Sequence, residues 1–410
     1  MNPYQSPNRI VTVDALRGFA LLGILFAHFI YWYSGAGLPQ ATYEKYNDPG
    51  SMIANVFNGI FITGKFYTFF SFLFGLSFFL QMQSLQKRED NFVLRYTWRL
   101  VILGVIGLIH HALWRGDILS IYVPLGFILL LFRNLSNKAL LIIATLLVLN
   151  IPARIIELVN LFTSTPPAPS TGPPPVDTSA ETYYQIIKNG SFIAMIQDNW
   201  KGLVPKFDFQ FGSGRIYITL GFFMLGAYAG RMKWFETLDA SKQLMKRICK
   251  FSGFTTLGII VVALLLVAVN QLMKLQLEQN RAMGLFFSFL FDTSGTTLTI
   301  FYLSGLTMLM YRVRWQKILH PLAPVGKMAL TMYLSQTFFG LLLFYSFGFG
   351  LFEKTSPGLN MLLTIPVFMI QVLFSKWWLS HFNYGPVEWL WRSLTFGKWY
   401  ALKKQQVIAA

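Results

Sequence analysis

Cysteine is almost absent from this sequence: Cys249 is the only one in 410 residues. It can form neither an intramolecular disulfide nor a cysteine-based metal cluster. Charge is scarce as well. Asp, Glu, Lys and Arg make up 12% of the chain, against ~25% in soluble domains, which excludes an ordinary soluble fold. The acids are the rarer sign, 17 against 34 Lys and Arg.

What fills the chain is apolar. Hydrophobic residues reach 54% and aromatics 17%, and the mean hydropathy is +0.49. Apolar runs of about 20 residues recur, the length that crosses a ~30 Å hydrocarbon layer. Ten are recognised, roughly at 11–33, 63–82, 99–114, 117–132, 139–161, 215–231, 251–272, 284–311, 326–349 and 358–380. The expected fold is all-α, a polytopic membrane bundle of about ten transmembrane helices.

The charge distribution orients it. With the N-terminus in the cytoplasm, the inner segments hold 23 of the 34 basic residues and 6 of the 17 acids. The outer segments hold 10 basic and 11 acidic residues, and Lys65 sits at a span boundary. This positive-inside bias places both termini in the cytoplasm. The basic balance therefore reports topology and contact with membrane lipid, not nucleic acid. The first run is too long for a signal-peptide core and reads as an uncleaved anchor.

The chain divides into an N-terminal five-helix half (1–161), a Pro-rich outer linker with a surface helix (162–214), a C-terminal five-helix half (215–383) and a cytoplasmic tail (384–410). The linker, FTSTPPAPSTGPPPVDTSAE, cannot bury a core. Residues 51–62 are either an interfacial piece or part of a long tilted helix.

The first run, TVDALRGFALLGILFAHFIYWYSG, retains Asp14, Arg17 and His28, although an ionisable group inside a span costs at least ~2.5–3.5 kcal/mol. Asp14 and Arg17, spaced i, i+3, can form a helix-end pair with Arg17 snorkelling to headgroups. His28 follows Arg17 by eleven residues, which returns it to nearly the same helix face ~16 Å away. It is either a hydrogen-bonded bundle histidine or a titratable base. In GLIHHALWRGDIL, the adjacent His110 and His111 point ~100° apart, so only one is expected to face the bundle interior. Asp117 either belongs to a simple charged turn with Arg115 or orients a histidine. Lys65 is a snorkelling lysine or a cation that contacts a carbonyl or phosphate, whereas Asp292 and Gln336 make interhelical hydrogen bonds or else line a cavity. Lys327, Glu388 and Arg392 lie at the cytosolic end. No metal-ligand spacing is present.

Five ordered motifs, VDALRGFALLGIL, GKFYTFFSFLFG, GLIHHALWRGDIL, PVGKMALTMYLSQ and GPVEWLWRSLTFGK, resemble those of the YeiB family of bacterial inner-membrane proteins. The first helix also resembles that of the transmembrane acyltransferase superfamily, with its Arg, ten residues, then His, matched here by Arg17 and His28. The YeiB pattern often has Asn in place of His28, and its recurrent histidine corresponds to His110. The resemblance implies an acyltransferase using acetyl-CoA or another acyl-CoA. Arg17, Lys327 and Arg392 would meet the donor phosphates; His28 or His110, with Asp117, would handle the acceptor's proton; and Lys65, Arg115 and Gln336 would contact substrate. The acceptor is left unidentified, a cell-envelope glycan or a small metabolite on the outer side being the kinds the resemblance implies, and homo-oligomerisation is open. A small-metabolite transporter is the alternative.

Overall fold

A computed structural model describes residues 11–33, 46–86, 91–163, 178–236, 238–277 and 280–404. Most of the Pro-rich segment and the last six residues of the tail lie outside the described residues. Regular structure among the described residues is helical, apart from one isolated bridge between Phe382 and Lys403.

The first half contains α1 (Val11–Ala27, extended by a π-helical turn His28–Trp32), α2 (Pro49–Phe57, with a second π turn Asn58–Ile62) and α3 (Phe66–Gln86). There follow α4 (Phe92–Leu113), α5 (Leu119–Leu131), α6 (Asn137–Val148) and α7 (Ile151–Thr163). The segment between the halves forms α8 (Thr178–Asn189), α9 (Phe192–Lys201) and α10 (Leu203–Gly212). The second half is α11 (Arg215–Arg231), α12 (Leu238–Met273), α13 (Arg281–Leu309), α14 (Val313–Leu319), α15 (Ala323–Lys327), α16 (Ala329–Phe344), α17 (Pro357–His381) and α18 (Pro386–Phe396).

Local chemistry sets the helix ends. Asp48, Asn91, Ser136, Ser191, Asn280 and Ser356 each accept a first-turn N–H of the helix that follows, which satisfies otherwise orphaned donors. Pro49 and Pro357 add pre-set helical φ at the first position.

Five helical stretches are long and apolar enough to cross a membrane: Val11–Trp32, Pro49–Gln86, Phe92–Leu113, Ala240–Met273 and Pro357–His381. Two bent pairs bring the number to seven. They are α6 with α7, bent by 48°, and Val313–Lys327 with α16, bent by 85°. The protein is a helical membrane protein. The runs expected at 139–161 and 326–349 are thus broken helices, at Asn150 (φ 55°) and Met328 (φ −110°, ψ 36°). Residues 51–62 are helical and continue toward α3. The run expected at 117–132 is the short α5, and those at 215–231 and 284–311 are α11 and α13.

Helix α11 lies in the interior of the bundle. Twelve of its 17 residues are buried, so it needs no lipid-facing apolar surface. Its small residues admit close backbone approach to α3. A Cβ on Gly226 would stand 1.9 Å from the Phe72 carbonyl oxygen, and one on Gly75 1.9 Å from that of Phe223. Gly326 plays the same part between α15 and α1, 1.8 Å from the Asp14 carbonyl oxygen by the same measure.

Candidate functional site

A cavity of about 1750 Å³ runs among these helices, larger than a typical small-molecule pocket. Its wall includes Asp14, Arg17, Ser77, Gln81, Arg99, Lys327, Glu388 and Trp391, then His28, Trp114 and Tyr333, then Arg115, Asp117, Tyr183, Asp198 and Lys206. Arg17 and His28 therefore meet one cavity, as helical spacing leads one to expect.

At the Arg17 end, α1 and α3 fix the guanidinium. It donates to Asp14 Oδ1 at 2.6 Å and to Ser77 Oγ at 2.7 Å. The nearby break at Met328 exposes the first N–H groups of α16, and Glu388 of α18 caps them. Its Oε1 accepts the N–H groups of Leu330 and Thr331 at 2.7 and 2.9 Å, and its Oε2 accepts the Thr331 hydroxyl at 2.5 Å. Burial pushes the Glu388 carboxyl above its ordinary range, against the pull of these donors.

Arg99 was not singled out in the sequence. Its guanidinium stacks on the Trp391 ring at 3.4 Å, while Trp391 Nε1–H donates to the Arg99 carbonyl at 2.9 Å. Among the described residues no carboxylate lies within ion-pair distance of Arg99. A planar guanidinium held by one face leaves its N–H edge for an anion.

His28, at the start of the π turn, is 7% exposed. Its ring packs edge-on against Trp114 at 4.5 Å and Tyr33 at 5.7 Å, with Tyr333 at 6.3 Å. Its Nδ1 is buried and has no hydrogen-bond partner among the described residues. The reading of His28 as a hydrogen-bonded bundle histidine thus finds no partner at that nitrogen.

His110 is placed differently. It is buried behind Trp114 and Tyr333, off the cavity wall. Its Nδ1 lies 2.7 Å from Asp117 Oδ1, and its Nε2 lies 2.7 Å from Thr337 Oγ1. Asp117 also accepts the N–H groups of Leu119 and Ser120, so it does orient a histidine. His111 points elsewhere and is buried too. Helices α9 and α10 cover it: Lys206 of α10 donates to His111 Nδ1 at 2.7 Å, and Trp200 of α9 lies edge-on to its ring. Burial lowers the Lys206 ammonium to about 8.

The remaining sequence candidates divide. Arg115 lines the cavity, pairs with Asp198 and stacks on Tyr183 at 3.6 Å. Lys327 and Asp292 also line it; Asp292 accepts from Asn150 and Arg154, across the α6–α7 break. Lys65 is buried off the wall and donates to the Gly59 carbonyl at 2.8 Å, tying the end of the second π turn. Gln336 is fully buried and donates to the Leu21 carbonyl at 2.9 Å, an interhelical bond. Arg392 is packed among the rings of Tyr384, Phe396 and Tyr400 and is not on the wall.

The comparisons with known proteins agree with the motifs. Residues 229–398 match the family described as "Protein of unknown function (DUF418)". The chain is 30% identical to the uncharacterized protein YxaH of Bacillus subtilis (strain 168) over 428 residues, covering 99% of this chain and 98% of that one. It is 30% identical to the uncharacterized protein YeiB of Escherichia coli (strain K12), covering 94% and 96%. An uncharacterized 39.9 kDa protein of Bacillus acidopullulyticus is 26% identical, with 97% of each chain covered. With two relatives at this identity over nearly the whole length, the chain belongs to the DUF418 family that includes YeiB.

Proposed function

We propose that the protein is an integral-membrane acyltransferase. It would take an acyl group, acetyl first among them, from cytosolic acyl-CoA and deliver it to an acceptor on the outer side. The observation that carries this reading is that one cavity is lined by both Arg17 and His28. In this reading the helices make ten crossings of a bacterial inner membrane, with both termini in the cytosol, as the charge bias favours.

The donor phosphates would lie at the Arg99, Arg17 and Lys327 end. His28 is the base. It removes the proton from the acceptor's hydroxyl or amine as that oxygen or nitrogen attacks the thioester carbonyl. The tetrahedral intermediate collapses, the C–S bond breaks, and the leaving thiolate takes the proton back from the imidazolium. No net proton is consumed, and the products are the acyl ester or amide and free CoA.

The broken helices at Asn150 and Met328 favour a second reading, a small-metabolite exporter, because interrupted spans mark many transport sites. Purified protein with labelled acetyl-CoA and a cell-envelope acceptor pool separates the two. The acyltransferase reading expects CoA release coupled to label in the acceptor. Label left wholly in the donor, with a metabolite crossing proteoliposomes instead, supports the exporter.

A further inference from the structure

Four side chains from three distant stretches of sequence form one buried chain beneath the His28 pocket. The Tyr33 hydroxyl donates to Thr337 Oγ1 at 2.9 Å, and Thr337 Oγ1 lies 2.7 Å from His110 Nε2. His110 Nδ1 lies 2.7 Å from Asp117 Oδ1. All four residues are at most 2% exposed. With a neutral His110, Nδ1–H donates to the carboxylate, so Nε2 accepts from Thr337, whose oxygen in turn accepts from Tyr33. The chain is thus directional, and removing the Thr337 hydroxyl leaves a buried donor and a buried acceptor unpaired at once.

The same residues fix the walls around His28. Tyr33 is stacked on Trp114 at 4.8 Å, and both contact the His28 ring. His110 lies edge-on to Tyr333 at 5.0 Å, whose hydroxyl accepts the Ile118 N–H. His28 itself makes no hydrogen bond at Nδ1 among the described residues. Its orientation at the cavity wall therefore depends on ring packing, and the packing depends on the buried chain.

We propose that Tyr33 and Thr337 are positioning residues. With His110 and Asp117 they hold the aromatic walls that present the His28 ring to the cavity. The catalytic consequence rests on the acyltransferase reading; the effect on His28 does not.

The test uses the full-length protein in nanodiscs and reads His28 directly, by its rate of modification with diethylpyrocarbonate followed by peptide mass spectrometry. Thr337→Val keeps the shape and removes the hydroxyl, Thr337→Ser keeps the hydroxyl, and Tyr33→Phe removes the donor. The modification rate is expected to change ~5-fold in Thr337→Val and Tyr33→Phe and to stay at the wild-type value in Thr337→Ser. Wild-type rates in both hydroxyl-deleted variants overturn the proposal. If Thr337→Val does not fold, Tyr33→Phe against Thr337→Ser decides. Where transfer activity is measured, kcat is expected to fall in Thr337→Val with the donor KM unchanged, and Thr337→Ser to restore it. Absence of any acyl transfer by the wild type counts against the acyltransferase reading, and the modification rates still decide the positioning role.

Discussion

Arg17 and His28 stand on the wall of one cavity, eleven residues apart along the first helix. The helix rise separates them by ~16 Å, and their surroundings are opposite in kind. Arg17 is held by Asp14 and Ser77, whereas His28 is packed among aromatic rings and its Nδ1 has no partner among the described residues. An anchored cation at one end and a desolvated imidazole further along suit a donor site and a reaction site on one path.

Because His28 contributes no hydrogen bond at Nδ1 among the described residues, His28→Asn should leave the fold intact and abolish base catalysis. The expected loss in kcat is ~10²–10⁴-fold, with unfolding temperature close to that of wild type. Steady-state kinetics beside a thermal melt in the same detergent checks this, and an unchanged kcat would remove His28 from the chemistry.

Arg99 separates charge from geometry. Arg99→Ala should weaken donor binding by ~10–100-fold, the scale of a charged hydrogen bond. Arg99→Lys should recover only part, since an ammonium keeps the charge but lacks the stacked, planar fork. Titration of CoA by isothermal calorimetry reads both; equal affinity in all three proteins would place the phosphates elsewhere.

Lys206 links stability to pH. Its folded value, about 8, lies below the ordinary lysine value of 10.5 because burial disfavours the charged ammonium. Between these values the unfolded chain binds the extra proton, so the Lys206 contribution makes stability rise from about pH 8 to about pH 10.5 and stay flat below. Thermal unfolding of wild type against Lys206→Met across pH 7–10.5 isolates this slope. The variant should lack it, and parallel curves would show that Lys206 is not perturbed.

Gly226→Ala tests the packing independently of any activity. The added methyl meets the Phe72 carbonyl oxygen at 1.9 Å, and backbone cannot yield as a side-chain tip can. Overpacking of this kind costs about 1–3 kcal/mol or more. Gly284→Ala, with nothing within 4 Å of the added carbon, is the control. A lower melting temperature is expected for the first variant alone.

The helical class and the alignment of Arg17 with His28 were legible because they are local: periodicity, run length and spacing along one helix carry them. The Asp117–His110 pair was partly legible, since seven residues and one tight turn separate its members. Thr337, Tyr33 and Arg99 were not. Thr337 meets His110 across 227 positions, and Trp391 donates to Arg99 across 292, so no sequence window contains either relation. The break at Met328 was hidden for the same reason, because the carboxylate that caps α16 is Glu388, 57 and 58 positions away from the N–H groups it accepts. Arg392, a basic residue expected to meet a phosphate, packs among three aromatic rings from Tyr384 onward, and no local pattern in the sequence marks that packing.

The most direct measurement is an experimental density map of the full-length protein with CoA. The expected map has the phosphates against Arg99 and Arg17, with the pantetheine arm directed along the cavity and its sulfur toward His28. A map at saturating CoA with this cavity empty, or with CoA bound only at the Arg115–Lys206 end, would contradict the proposed donor path.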